Sequence, residues 1–158
     1  MRNVCVTQTA RPGTKLVLVD AVHALLDAKN VLMVAYTATT YGVTVHVWPV
    51  YLDAPSSFMD MEFAFSYAVH LHNHGTEDLE LIRKRCTIQE SSGRLQDVEG
   101  DDLGRRPIVP AGDKHVLDER CTVHSFDAVV EGNYLAQRPD GERVRIALPS
   151  FPLHAAAN

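Results

Sequence analysis

Residues 63–75 read FAFSYAVHLHNHG, and the alternation in this stretch decides the class of the fold. Phe63, Phe65, Tyr67, Val69 and Leu71 fall on one face; Ala64, Ser66, Ala68, His70 and His72 fall on the other. A period of two over that length marks a half-buried antiparallel strand, with one face toward a core and one toward water. Asn73, His74 and Gly75 then predict a turn, because Asn and Gly supply the backbone conformations that a reversal needs.

The same pattern continues outward in both directions. Leu79–Ile88 returns as a strand, and Ser91, Ser92 and Gly93 read as a hairpin tip. An acidic, glycine-bearing loop is expected over Asp97–Gly104. Pro110, Ala111 and Gly112 supply another turn before a strand at Lys114–Val123. Phe126–Ala136 and Arg143–Leu148 are strands joined at Pro139, Asp140 and Gly141. Upstream, Val43, Val45 and Val47 alternate with Thr44, His46 and Trp48, and Pro49 favours an edge or a bulge in that run. Asp53–Asp60 reads as a loop. About seven short strands at this spacing predict an all-β antiparallel sandwich.

The chain divides at Gly42 into an N-terminal extension, residues 1–42, and a β-domain, residues 43–158. Within the extension, Leu18, Val22, Leu25 and Leu26 fall on one side of a helix expected over Lys15–Lys29, with Asn30 as its stop. Val31–Tyr36 is a short apolar run compatible with strand or helix. The stripe through Val22 and Leu25 either packs on its own domain or docks on another protein.

Composition bounds the function. At 158 residues with 46% hydrophobic content, the chain buries a self-sufficient core. A net charge of −5 and a pI near 5.9 argue against a general nucleic-acid binder, save through a local basic patch. Cys5, Cys86 and Cys121 form no CxxC pair, which excludes a zinc ribbon and a disulfide framework, and leaves reduced thiols as the expectation. Asp20, Asp27 and Lys29 break up Leu16–Tyr36, so it is not a membrane span. The first nineteen residues hold Arg2, Arg11 and Lys15 but no acid, the composition of an organelle-targeting segment. The expected location is cytoplasm, or mitochondrion if that segment is read as an address.

The segments FSYAVHLHNHG, GRRPIVPAGD and EGNYLAQRPDGERVRIALPSFPL, in that order, resemble the ApaG domain over about Val43–Leu153. The resemblance implies an immunoglobulin- or fibronectin-III-like sandwich. It also implies protein binding rather than catalysis: ApaG domains occur alone in bacteria, with links to cobalt and magnesium tolerance, and within eukaryotic F-box adaptors and a polymerase-interacting protein. The family's glycine loop, G-x-G-x-x-G, has been suggested to bind pyrophosphate. Here it corresponds to Glu99-Gly100-Asp101-Asp102-Leu103-Gly104, where only Gly104 falls in register and three carboxylates oppose an anion. Gly100, Gly104, Arg105 and Arg106 are the candidate phosphate residues of this degenerate loop, against a plain surface hairpin.

Two further groups carry candidate chemistry. His70, His72 and His74 follow at i, i+2 spacing, a pattern that can chelate a divalent metal, against a polar outer face with incidental histidines. Trp48, the only tryptophan, is either an exposed anchor for a partner or a second buried layer beneath the extension. Catalytic motifs are lacking: there is no G-x-S-x-G, H-E-x-x-H or P-loop. The reading is a non-catalytic protein-interaction module without a cofactor. It acts as a subunit or accessory factor of a multi-subunit assembly, ribosomal or otherwise organellar, with homo-oligomerisation left open. The alternative is a divalent-metal or pyrophosphate-binding protein.

Overall fold

The computed structural model describes residues 34–100 and 106–155, together with the backbone of three two-residue strands upstream. These are β1 (Thr9–Ala10), β2 (Thr14–Lys15) and β3 (Val17–Leu18). The remaining strands are β4 (Val34–Thr40), β5 (Val43–Ser57), β6 (Glu62–Asn73), β7 (Leu79–Glu90) and β8 (Leu95–Gly100). They are followed by β9 (Ile108–Val109), β10 (Lys114–Val123), β11 (Asp127–Gln137) and β12 (Arg143–His154). The front sheet runs β10-β6-β5-β4-β3 and the back sheet β12-β11-β7-β8, with β9 also on β7; all pairings are antiparallel. The expected all-β sandwich is what forms.

Alternation fills the space between the sheets as the sequence predicts. Val43, Val45, Val47, Phe63, Phe65, Tyr67, Val69 and Leu71 point inward from the front sheet. They meet Leu81, Ile88, Val130, Tyr134, Ile146 and Phe151 from the back sheet. Phe151 stacks its ring near Tyr36 and Tyr67, at centroid distances of 6.2 and 5.2 Å. Where β12 lies along the opening hairpin, the Ala147 amide donates to Thr40 Oγ1 at 3.2 Å.

Several expectations are corrected. No helix occurs among the described residues. The helix read over Lys15–Lys29 lies outside them except at its start, where Lys15 belongs to β2 and Val17–Leu18 pairs with Val34–Ala35. Gly42 is the second residue of a two-residue hairpin between β4 and β5, and Val34–Thr40 upstream of it pairs in the front sheet. Tyr41 and Gly42 both have positive φ, 50° and 76°, the combination of a type I′ turn. The loop expected over Asp53–Asp60 is shorter, since β5 runs on to Ser57. Likewise Asp97, Glu99 and Gly100 lie in β8 rather than in an acidic loop, held by ladder pairing to Thr87, Arg85 and Lys84.

Tyr41 is 64% exposed, so its ring contributes little packing while its backbone sits where side chains are disfavoured. Tyr41→Asn, creating the preferred Asn-Gly turn, is expected to raise stability by about 1 kcal/mol in urea unfolding. A fall in the midpoint would mean that the tyrosine ring holds the hairpin.

Polar groups secure the ends of the sandwich. Asn73, 2% exposed, donates through Nδ2 to Glu77 O at 2.7 Å and Val109 O at 3.2 Å, and accepts from the Gly75 amide at 2.9 Å. That makes the predicted Asn-x-Gly turn and ties it to β9. At the opposite end the Glu90 carboxylate is fully covered. It accepts from Gln96 Nε2 at 2.6 Å, the His124 amide at 2.9 Å and Ser125 Oγ at 3.1 Å. Burial alone would raise its pKa; those three hydrogen bonds, with Arg94 at 3.9 Å, outweigh burial and hold it below the usual carboxylate value.

Candidate functional site

The outer face of the front sheet gathers the histidines and the tryptophan. Pairing of β5 with β6 sets His46 opposite His70, Trp48 opposite Ala68 and Thr44 opposite His72. Trp48 is half-buried. Its ring lies edge-on to His70 at a centroid distance of 4.3 Å and stacks near His46 at 5.8 Å. The indole Nε1 is enclosed without a hydrogen-bond partner. Trp48 is thus half-buried and flanked by the imidazoles of His46 and His70.

His72 and His74 approach to 4.1 Å between ring centroids. His74 Nε2 meets Thr44 Oγ1 at 3.0 Å, and His46 Nδ1 meets Thr37 Oγ1 at 2.9 Å. Partial burial, then the proximity of His72 and His74, push the pKa of His46 below its ordinary value. His70 and His72 thus share the outer face, as the alternation predicts. Among the described residues no three His, Cys, Asp or Glu side chains come together as a metal site.

The degenerate phosphate loop is not assembled in the described residues. Gly100 is a strand residue opposite Lys84. Arg106 has a φ of 45° and pairs with Glu80 at 3.8 Å. Gly104 and Arg105 lie outside the described residues, as do Val22 and Leu25.

The two thiols among the described residues lie beside the core. Cys86 is buried, Cys121 is half-buried, and both are free. Burial raises the pKa of each. Cys121 reaches about 12, pushed by burial first and then by Cys86 and Glu119, which outweigh the opposing Lys84. A thiol so shifted is protonated at neutral pH and is a poor nucleophile. Beside them Lys84 points inward from β7, its Nζ 2.9 Å from Glu119 Oε2 and 3.1 Å from the Tyr67 hydroxyl. The ammonium also lies 5.3 Å from the Tyr67 ring centroid. Burial, chiefly, raises the phenol pKa of Tyr67 as well. This cluster joins β6, β7 and β10 across the sandwich and has the character of a satisfied buried pair, not of an activated nucleophile.

One surface escaped the sequence reading. At the tip between β5 and β6, Phe58, Met59 and Met61 are 43%, 97% and 40% exposed, and Phe126 next to them is 44% exposed. Phe58 packs its ring against Phe63 and Phe126 at 5.2 and 5.9 Å. Met61 has a φ of 54°, strained for a side chain of that size. The signal was present as Phe-Met-x-Met in a segment read only as a loop.

The comparisons agree with this fold. The ApaG domain profile matches residues 53–138. The chain belongs to the ApaG family. The ApaG protein of Paramagnetospirillum magneticum is 32% identical over 119 residues, spanning 75% of this chain and 92% of that protein. The ApaG protein of Brucella abortus is 29% identical over the same shares. A crystal structure described as that of an ApaA protein from Bordetella pertussis superposes with a TM-score of 0.68 at 22% identity, covering 73% of this chain and 95% of that one. A structural-genomics X-ray structure, target SoR45, superposes at 0.67 with 22% identity, covering 72% and 86%. At that identity both speak for the fold alone. Among the described residues no helix is long and apolar enough to cross a membrane.

Proposed function

We propose that this ApaG chain is a non-catalytic protein-interaction module that works as a subunit or accessory factor of a larger assembly. The observation that carries it is the tip formed by Phe58, Met59, Met61 and Phe126. Exposed apolar side chains grouped at one end of a folded domain, on a strained turn, are the composition of a protein-docking surface. Methionines suit such a surface because their unbranched, polarisable side chains adapt to an opposing shape. The raised thiol pKa values support the same reading, since they disfavour cysteine catalysis at Cys86 and Cys121. A mitochondrial address remains part of the proposal, supported by the basic, acid-free first nineteen residues.

Quantitative affinity capture from native lysate tests it, comparing the chain with Met59→Ser/Met61→Ser. Partners held in stoichiometric amounts by the parent are expected to fall by about tenfold or more with the variant, as loss of hot-spot contacts requires. Identical capture by both would remove the tip from consideration. Import of the full chain into isolated mitochondria, with cleavage of its N-terminus, tests the address.

A further inference from the structure

A second surface, on the opposite side of the sandwich, has a chemistry of its own. Ladder pairing places Leu135 of β11 between Arg83 of β7 and Arg145 of β12 in one cross-strand row. Arg85 lies opposite Asn133, and Arg143 opposite Gln137, one row to either side. All four arginines point away from the core; the side chains of Arg83 and Arg85 are 48% and 63% exposed. A cleft of about 110 Å³ lies between Arg83, Arg85 and Arg145, floored by Leu135 and Asn133. Glu99 is the acid lining it, accepting from Arg85 Nη2 at 2.8 Å and approaching Arg83 Nη1 at 3.5 Å. Glu80, opposite Gln137, is taken up by Arg106. Arg143 and Arg145 make no ion pair among the described residues. Cationic excess is thus concentrated here on a chain whose net charge is −5.

We infer that this arginine face of the back sheet binds an acidic segment of a partner protein, laid down in extended conformation. The spacing selects that occupant. Successive rows are two residues apart along the strands, roughly 6.6 Å, which is the repeat of alternate side chains in an extended chain. Carboxylates at every second position therefore step in register with Arg85, the Arg83–Arg145 row and Arg143. Arg143 and Arg145, which make no ion pair among the described residues, can each take a carboxylate through two parallel hydrogen bonds, Arg83 and Arg85 add positive charge beside them while holding Glu99, and Leu135 offers an apolar seat between the rows. A single small oxyanion would engage one row only. A long polyanion such as nucleic acid meets repulsion from the rest of an acidic chain.

The inference rests on the reading of this chain as an interaction module but uses a surface remote from the methionine tip. The test is fluorescence anisotropy of a dye-labelled alternating Glu/Val peptide on the full chain, with the Gln/Val peptide as control. Saturable binding of the Glu form alone is expected, weakened about five- to twentyfold by Arg143→Ala/Arg145→Ala at unchanged melting temperature. Arg143→Lys/Arg145→Lys should recover part of the loss, since charge is kept and the fork is not. Met59→Ser/Met61→Ser should leave peptide binding unchanged, so failure at the tip and failure here are told apart. Equal binding by the alanine variant overturns the inference. So does displacement by inorganic phosphate at the peptide's own concentration, or tighter binding of single-stranded DNA. Binding that emerges only in Asp101→Asn/Asp102→Asn overturns it too, because the chain's own acidic run would then be the occupant.

Discussion

Gly132→Ala is expected to destabilise the domain by roughly 4 kcal/mol or more, and to leave little folded protein at physiological temperature. The reason is backbone proximity, not conformational freedom. A Cβ at this position would stand 2.2 Å from Arg85 O and 2.7 Å from Cys86 Cα. Both are main-chain atoms of β7, so no rotamer change can relieve the overlap. Gly132 also follows the bulge in β11 at which pairing with β12 shifts register after Val130, a place where close approach of two backbones selects glycine. To accept the methyl group, β11 must move away from β7 in the middle of the back sheet. Thermal unfolding of Gly132→Ala beside Gly75→Ala separates this from a general glycine effect. At Gly75 a Cβ meets only a side-chain oxygen, Asn73 Oδ1, at 3.1 Å. If Gly132→Ala melts like the parent, β11 and β7 are not as close as described.

Glu90→Ala should cost about 3–4 kcal/mol, because it strands the His124 amide, the Ser125 hydroxyl and Gln96 in a covered site. Glu90→Gln keeps the shape but sets an amide against at least one donor, and should lose about 2 kcal/mol. The dependence on pH has a definite sign. Hydrogen bonds hold the folded-state pKa of Glu90 below the ordinary value despite burial. Its stabilisation is therefore complete above the unfolded value of about 4.3 and is lost as pH falls through the folded value. In urea unfolding, the gap between the parent and Glu90→Gln should be constant from pH 7 to about pH 5 and narrow below it. A gap that widens on acidification would mean that Glu90 is protonated in the native state.

The contrast between these two residues shows what the sequence made readable. Alternation from Phe63 to Leu71 was sufficient for the sandwich, because a period of two assigns each side chain to a face before any partner is known. Asn73-His74-Gly75 and Pro139-Asp140-Gly141 announced their turns by residue type. Gly132 gave no such cue: its necessity comes from Arg85 and Cys86, far away in sequence and adjacent only once β11 pairs with β7. Glu90 gave no cue either, since its donors on Gln96 of β8 and on His124 and Ser125 between β10 and β11 reach it only through the fold. The loop over Asp53–Asp60 was drawn too long because Pro-Ser-Ser resembles a loop although β5 extends through it to Ser57. Among candidate sites, the His70–His72 face was legible from spacing. The arginine face was not, because β7 and β12 each contribute only a pair, and β11 joins them in space.

The seam between Ala147 and Thr40 has a bearing on how the chain reaches its folded state. The strand that closes the sandwich over the β4–β5 hairpin, β12, follows every other described strand in chain order. Translation supplies roughly 5–20 residues each second, so several seconds pass between completion of β5 and release of β12. During that interval the valines of β5 and the aromatic residues of β6 have no permanent cover. Truncation just before Arg143 is therefore expected to convert a stable domain into an aggregation-prone one.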